Sequence, residues 1–598
     1  MHYTPDNRNT IFPETELPKG KDILAQGRKA VANWPLGRGQ FQHYHGVANE
    51  IEYKRNAMKE GRVMQHAHLG FRDLTHTIDA TTNIYETCAK QGARIDRFGM
   101  CLDWSMGYLR SKRKDTMRGT GILLNAPEDF LRLTNAAPAA MHFGDFMLGF
   151  PAAFENTCAA LAAGATTIGN LGQYFTFRLP GHDDDIEATA STVKALGLIA
   201  AQSIPVLVHS NLDDGFAAVF KDVSSAIGQA ILEKYIISNL IGAPYAVCYG
   251  HHFTDPLTRI AFQRALAEIS DDTPGSQIYG ATVLYKGNIA ENYAALSFYL
   301  LPDIMAQMLR PTGHAVNPVP VTENIRIPDA DEIIDAQCNL SRMSDLAAGH
   351  IPLLDIDTID HTRDRLLRGG QQYADRVMKG LENAGVDVCD PFEMLLALRR
   401  IGGRLLEHLY GFNAAQETTG NKPAPWVVST TYLEIKEHAD AFLATDAGGE
   451  LQDMGARDLT ILTATTDVHE HGKVLLDLVF EGAGFTLVNG GVSTDPDSIA
   501  ALAKSNSVDA IALSTYNGVA LNFATALLIE LEKEGLKIPI LIGGRLNQIP
   551  KVSNSSLPLD VTPELIDIGV YPCIDLESAH KALVKALSSN SKSDKIRK

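Results

Sequence analysis

The stretch DLTILTATTDVHEHG, residues 458–472, decides how the C-terminal part of this chain is read. It opens with a short apolar run, DLTILTA (458–464), and breaks into the polar loop Asp467-Val468-His469-Glu470-His471-Gly472. Four runs of the same kind follow: FTLVNGG (485–491), VDAIALS (508–514), IPILIGG (538–544) and IDIGVYPC (566–573). Each is trailed by a loop or a helix-like stretch. Strands alternating with helices predict right-handed crossovers and a parallel sheet. Five strands in so short a span predict an α/β domain of flavodoxin-like, Rossmann-type architecture.

Working backwards, GFNAAQETTGNKPAPW (411–426) is polar and rich in Gly, Pro and Thr, the composition of a linker. Residues 328–410 read as helical, as in ADRVMKGLENA and PFEMLLALRRIGGRLLEHLYG. Before them a second strand–helix rhythm runs from about residue 60. Its strand candidates are VMQHAHL (63–69), RFGMCL (97–102), MHFGDFML (141–148), ATTIGNL (165–171), IPVLVHS (204–210), YAVCYG (245–250), IYGATVLY (278–285) and HAVNPVPV (314–321). Amphipathic stretches such as IEATASTVKALGLIAAQS (186–203) and LTRIAFQRALAEIS (257–270) lie between them. Eight such units fit the size of a closed (β/α)8 TIM-like barrel, with a doubly wound open sheet as the alternative. The expected boundaries are an N-terminal arm over 1–55, the barrel over 56–330, a helical segment and linker over 331–425, the C-terminal domain over 426–590 and a tail over 591–598.

The chain has 598 residues, 45% hydrophobic and 21% charged, which excludes wholesale disorder. Its 53 Lys and Arg stand against 71 Asp and Glu, a net charge of −18. That balance lacks the basic field that nucleic acids or anionic lipids require. Seven scattered cysteines with no CxxC fit reduced thiols in a cytosol. The first 22 residues hold no apolar signal-like core, and the most apolar stretch, ALSFYLLPDIMAQML (295–309), is broken by Pro302 and Asp303. A cytoplasmic, multi-domain protein without a membrane span is the expectation.

Chemistry concentrates in three loops of the C-terminal domain. After its first strand comes Asp467–Gly472, at the end of the third come Ser514 and Tyr516, and the fourth ends in Gly543 and Gly544. In a doubly wound sheet all three lie at the carboxyl edge, where such folds bind ligands. A loop histidine presents one ring nitrogen to a metal, and an Asp two residues earlier fixes the tautomer through the other. Paired glycines clear space where a bulky ligand lies against backbone. Singly these features are commonplace: a loop His is usually solvated, and GG after a strand is ordinarily a turn. Their joint order and spacing single them out.

Those residues resemble the B12-binding signature DxHxxG…SxL…GG of base-off, histidine-on corrinoid proteins. The resemblance implies that His469 is the lower cobalt ligand, with Asp467 behind it and Ser514 bonding the displaced base. Gly472, Gly543 and Gly544 would line the channel for the nucleotide tail. Tyr516 stands where the signature has Leu. With an N-terminal barrel in the same chain, the arrangement resembles the adenosylcobalamin-dependent carbon-skeleton mutases of the glutamate mutase and 2-methyleneglutarate mutase type. AGFTLVNGGVS (483–493) and DAIALSTYNG (509–518) extend the local likeness. It implies a radical isomerase that orients a small carboxylic or amino acid in the barrel, seals out water and oxygen, and works as a homo-oligomer. A corrinoid methyltransferase and a B12-dependent aminomutase are the competing readings; a DNA-binding sensor is disfavoured by the acidic charge.

Barrel candidates for substrate follow from position. Arg72, Arg97 and Arg178 are the arginines near strand ends or the loops after them, able to fork a carboxylate. His68, His209 and His251 are placed to donate hydrogen bonds or shuttle protons. Glu323 is a candidate ammonium anchor and Lys286 a candidate carboxylate or Schiff-base partner, though a surface Lys is the commoner fate. The cobalamin face is expected to dock over the carboxyl ends of the barrel strands, in cis or in trans.

Overall fold

The computed structural model describes residues 5–594 apart from 6, 117, 118, 120, 212, 214–219, 251, 252, 286, 287, 324, 413–424, 468, 517 and 549–558. It divides into two units, the first running to Thr430 and the second from Thr431, with Phe177–His182 grouped in the second.

In the first unit eight strands overlap the eight apolar runs read from the sequence, β7 at Ile278 alone, with the rest of IYGATVLY forming a loop and a short 3-10 turn. They are β1 (Met64–Leu69), β2 (Arg97–Met100), β3 (Ala140–Phe143), β4 (Thr167–Ile168), β5 (Leu207–Asn211), β6 (Tyr245–Cys248), β7 (Gln277–Ile278) and β8 (Ala315–Val316). All pair in parallel, in the order β6-β5-β4-β3-β2-β1-β8-β7. A bridge between Tyr249 and Ile278 joins the two ends. The Tyr279 N–H donates to the Tyr249 carbonyl at 2.7 Å and the Ser276 N–H to that of Val247 at 3.2 Å. The sheet therefore closes on itself as a (β/α)8 barrel, and the open-sheet alternative is set aside. Helices Leu74–Lys90, Pro127–Thr134, Ala153–Ala162, Asp185–Ala200, Val223–Lys234, Pro256–Ile269, Ile289–Leu309 and Ala330–Ala347 follow the strands in turn. The eighth begins at the barrel boundary expected from sequence, so the barrel continues into the segment read as its helical companion.

The N-terminal arm has more structure than its composition announces. Helix Glu50–Lys59 caps the closed end of the barrel, and its buried residues include Glu50 and Lys54 beside Ile51, Tyr53 and Ala57. Lys54 Nζ donates to the carbonyls of Ser276 (2.9 Å) and Gly313 (2.6 Å), just ahead of β7 and β8. Glu50 accepts from Thr167 Oγ1 at 2.6 Å and pairs with Arg97 at 2.9 Å and Lys54 at 3.4 Å. Burial pushes Lys54 down to about 8 even with Glu50 beside it. Burial also works against ionised Glu50, yet Arg97 and Lys54 together hold its carboxyl below the ordinary range. A helix that buries ions shows no apolar period, which is why the arm reads as featureless.

Beyond the barrel, helix Ile356–Asn383 packs on Val223–Lys234 so closely that a Cβ on Gly228 would stand 2.7 Å from the Gly370 carbonyl oxygen. Past the linker the chain returns to the same unit. Val223 N–H donates to Val427 O at 2.8 Å, and the Asp222 carboxylate takes the N–H groups of Ser224, Trp426 and Val427.

The second unit is a five-stranded parallel sheet: β9 (Thr460–Thr465), β10 (Thr486–Asn489), β11 (Ala510–Thr515), β12 (Ile540–Gly544) and, after the short hairpin β13 (Asn547–Gln548) and β14 (Leu559–Asp560), β15 (Tyr571–Cys573). Its order is β10-β9-β11-β12-β15. This is the flavodoxin-like order, and direction reverses between β9 and β11, the point where such sheets take ligands. One apolar layer is built on Leu462, Ile511, Leu513, Leu527, Ile540 and Ile542, and the other on Ile461, Phe480, Phe485 and Leu541.

Candidate functional site

At the β9/β11 reversal, Asp467 organises the loop after β9. Its Oδ1 accepts the His469 backbone N–H at 3.0 Å and lies 2.7 Å from His469 Nδ1. Its Oδ2 accepts the Tyr516 N–H at 2.7 Å and the Thr466 hydroxyl at 3.2 Å. One carboxylate thus ties the β9 loop to the end of β11. A carboxylate only accepts, so Nδ1 of His469 is the donor in this pair, and the tautomer it selects in a neutral ring has its lone pair on Nε2. The His469 side chain is 32% exposed while Asp467 is buried at 1%, so the imidazole projects and its orienting partner does not.

Glycine makes the space beside it. A Cβ on Gly472 would lie 2.3 Å from Ser514 Oγ. Ser514 stands in β11 opposite Gly543 of β12 and Thr465 of β9. Gly544 adopts φ +104°, and a Cβ there would strike the Thr515 carbonyl oxygen at 2.3 Å. The Tyr516 ring lies 4.4 Å from that of His469, and the Arg545 guanidinium sits 4.2 Å from the Tyr516 ring centroid. Arg545 was not singled out from sequence; its signal is its place directly after the paired glycines. His471 opens helix His471–Gly482. Among the described residues no group of three or more His, Cys, Asp or Glu side chains is arranged to hold a metal ion.

Four histidines gather on the barrel strands. His66 and His68 of β1 have ring centroids 5.6 Å apart, and His142 of β3 and His209 of β5 meet edge-on at 4.3 Å. A side chain on Gly99 of β2 would collide with His66 Nε2, at 2.6 Å. Burial first, and Arg97 second, push His66, His142 and His209 well below the ordinary imidazole range, so they are uncharged. His209 Nδ1 pairs with Ser276 Oγ.

The expected substrate residues separate on this structure. Arg72 is half-buried in the loop three residues after β1. Arg97 opens β2 instead of following it, a correction to its expected place; fully buried, it bonds Gln277 Oε1 at 2.6 Å and His66 Nδ1 at 3.3 Å besides pairing with Glu50. Arg178, in the segment grouped with the second unit, pairs with Asp495 at 2.8 Å and donates to Ser493 O. It is engaged there, not in a strand-end cluster with Arg72 and Arg97. Glu323 lies in the turn after β8, near Tyr285, whose phenol it helps to raise behind the larger effects of burial and Tyr299. His251 and Lys286 lie outside the described residues. Sequence reasoning missed His142, Gln277, Glu50 and Asp145; the last follows β3 by two residues, a position that could have flagged it.

The description "B12 binding domain" matches residues 457–551. A methionine synthase of Mycobacterium tuberculosis is 27% identical over 128 residues, which is 21% of this chain and 11% of that protein. A glutamate mutase sigma subunit 1 of Haloarcula marismortui is 33% identical over 81 residues, 14% of this chain and 54% of that protein. The chain thus spans about a tenth of one relative and about half of the other. It holds a B12-binding domain in the second unit, beside a parallel barrel, and no described helix is long and apolar enough to cross a membrane.

Proposed function

We propose that this chain is an adenosylcobalamin-dependent radical isomerase, a carbon-skeleton mutase acting on a small carboxylic or amino acid in its barrel. The observation that supports it most is one chain holding both a B12-binding domain and a closed (β/α)8 barrel whose interior is lined by neutral histidines. The partial likeness to a glutamate mutase sigma subunit points the same way. His469 would hold the cobalt through Nε2, and Asp467 would fix that ring. Gly472, Ser514, Gly543 and Gly544 would house the nucleotide tail, in the space that a side chain on Gly472 would fill. When bound, the cofactor supplies the radical that takes and returns a substrate hydrogen. The barrel residues orient the substrate and exclude water; uncharged imidazoles donate hydrogen bonds without adding charge to a dry chamber.

The second reading is a corrinoid methyltransferase with its own substrate barrel, favoured by the similarity to a methionine synthase. Isotope exchange separates the two. The mutase is expected to require adenosylcobalamin and to exchange tritium between the cofactor's 5′ carbon and substrate. Turnover sustained by methylcobalamin alone, with methyl delivered to an acceptor, would establish the methyltransferase instead. A lysine-bound pyridoxal absorbance would turn the reading to an aminomutase.

A further inference from the structure

At the amino ends of β6, β7 and β8, away from the loops that follow the strands, lies a cavity of about 400 Å³. That is the size of a small-molecule site. Its walls are Tyr245–Val247 of β6, the turns that lead into β7 and β8, helix Glu50–Lys59 and the last turn of helix Pro256–Ile269. The cavity therefore straddles the joint where the barrel closes. Within its wall, His314 Nε2 pairs with the Val247 carbonyl at 3.1 Å, and the Gly275 N–H donates to the Thr312 carbonyl at 2.8 Å.

Uncommon backbone borders it on two sides. Asp271 and Asp272, in the turn before β7, take φ +47° and +62° in succession, a region that Asp visits as single residues. Lys234 leads into a π-helix, Tyr235–Ile241, a winding that is rare and gathers at functional sites. Strained backbone of this kind clusters where ligands are held.

The lining joins an apolar body to cations. Met58, Val247, Leu266, Ala267, Ile269 and Pro311 supply the apolar part. Arg55, Lys59, Lys234 and Arg310 stand against a single lining carboxylate, Asp272, in a chain whose net charge is −18. Lys234 pairs with Asp271, and Arg310 with Glu268 at 2.5 Å, but exposed pairs hold little energy and yield readily to a ligand. Arg55 and Lys59 have no ion-pair partner among the described residues. They are exposed and one helical turn apart, so they repel each other, and an anion between them relieves the repulsion.

We propose that this cavity is a second ligand site, taking a small amphipathic anion: an apolar body bearing a carboxylate or phosphate head. Its occupant touches β6 and the approaches to β7 and β8 together, and so ties the joint of the barrel.

Calorimetric titration of the full chain with octanoate and octyl phosphate tests it, and the ratio of the two names the head group. The tighter of them is expected to bind roughly tenfold or more better than octanol, and octylammonium weaker still. Acetate and inorganic phosphate, which lack the apolar body, should lose a similar factor, roughly tenfold or more. Arg55→Ala combined with Lys59→Ala should weaken the octyl anion by about tenfold or more, the range for hydrogen bonds to charged groups. Ala267→Phe, which fills the cavity without removing a charge, should weaken it as well. Saturating ligand should slow exchange of the Ser276 amide by about threefold or more, since a ligand that spans the joint opposes its opening. Thermal melting of each variant separates misfolding from lost binding, and the double variant, at exposed positions, carries the test if Ala267→Phe does not fold. No binding by either anion, equal binding by octanol or octylammonium, binding that a folded variant leaves unchanged, or an unaltered Ser276 amide would each overturn the proposal. The isotope-exchange result stands apart, because it concerns the cofactor and the substrate, and neither Arg55, Lys59 nor Ala267 belongs to their sites.

Discussion

His469→Gly is expected to erase histidine nitrogen coupling from the Co(II) electron paramagnetic resonance spectrum of the chain reconstituted with cobalamin. The parent chain, grown with nitrogen-15 histidine, should show that coupling with the isotope's two-line splitting. The argument is geometric: Asp467 holds Nδ1 at 2.7 Å and leaves Nε2 as the outward lone pair. Asp467→Asn should keep the coupling and weaken cobalamin binding by ten- to a hundredfold, the usual cost of losing the group that orients a metal-bound histidine. The same change disturbs the bond to the Tyr516 N–H, so the loop and the end of β11 should loosen together. Persistence of histidine coupling in His469→Gly would move the ligand elsewhere, and His471 would be the first residue to test.

Glu50→Gln is expected to destabilise the barrel by about 3–5 kcal/mol, the cost of removing one partner from a buried ion pair. Glu50 is the anion paired with both Arg97 and Lys54, and all three side chains are essentially inaccessible. Neutralising it strands two buried cations at the closed end. The three tryptophans, Trp34, Trp104 and Trp426, all belong to the first unit, so urea unfolding followed by their fluorescence reports on that unit. A loss below about 1 kcal/mol would show that the trio is solvated or rearranges freely. Replacing Glu50, Lys54 and Arg97 together by apolar residues should recover much of the loss, since apolar substitutes often equal a buried ion pair.

Both sheets were legible because buried parallel strands are short apolar runs, and each run marks one strand. The cobalamin loop was legible for a different reason: Asp467 and His469 interact two residues apart, so local spacing already encodes that part of the geometry. The barrel site was not. Arg97 heads the run RFGMCL as it heads β2, so the run itself puts it at the amino end; what the run does not carry is its partners, since Glu50, His66 and Gln277 come from other elements and meet it only in the fold. Helix Glu50–Lys59 escaped notice because its buried side includes ions.

The closure of the barrel between β6 and β7 rests on one bridge and strands of four and two residues, whereas β1 and β2 share a four-residue register. Native-state amide exchange should therefore be uneven around the ring. The Ser276 and Tyr279 amides, which cross the joint, are expected to lose protection in a local opening well below the global unfolding free energy, ahead of the amides of β1, β2 and β3. The β3/β4 pairing is equally thin, resting on Phe143 and Ile168 alone. Such a barrel can admit a molecule by breathing at its thin joints while the β1–β2–β3 arc stays intact.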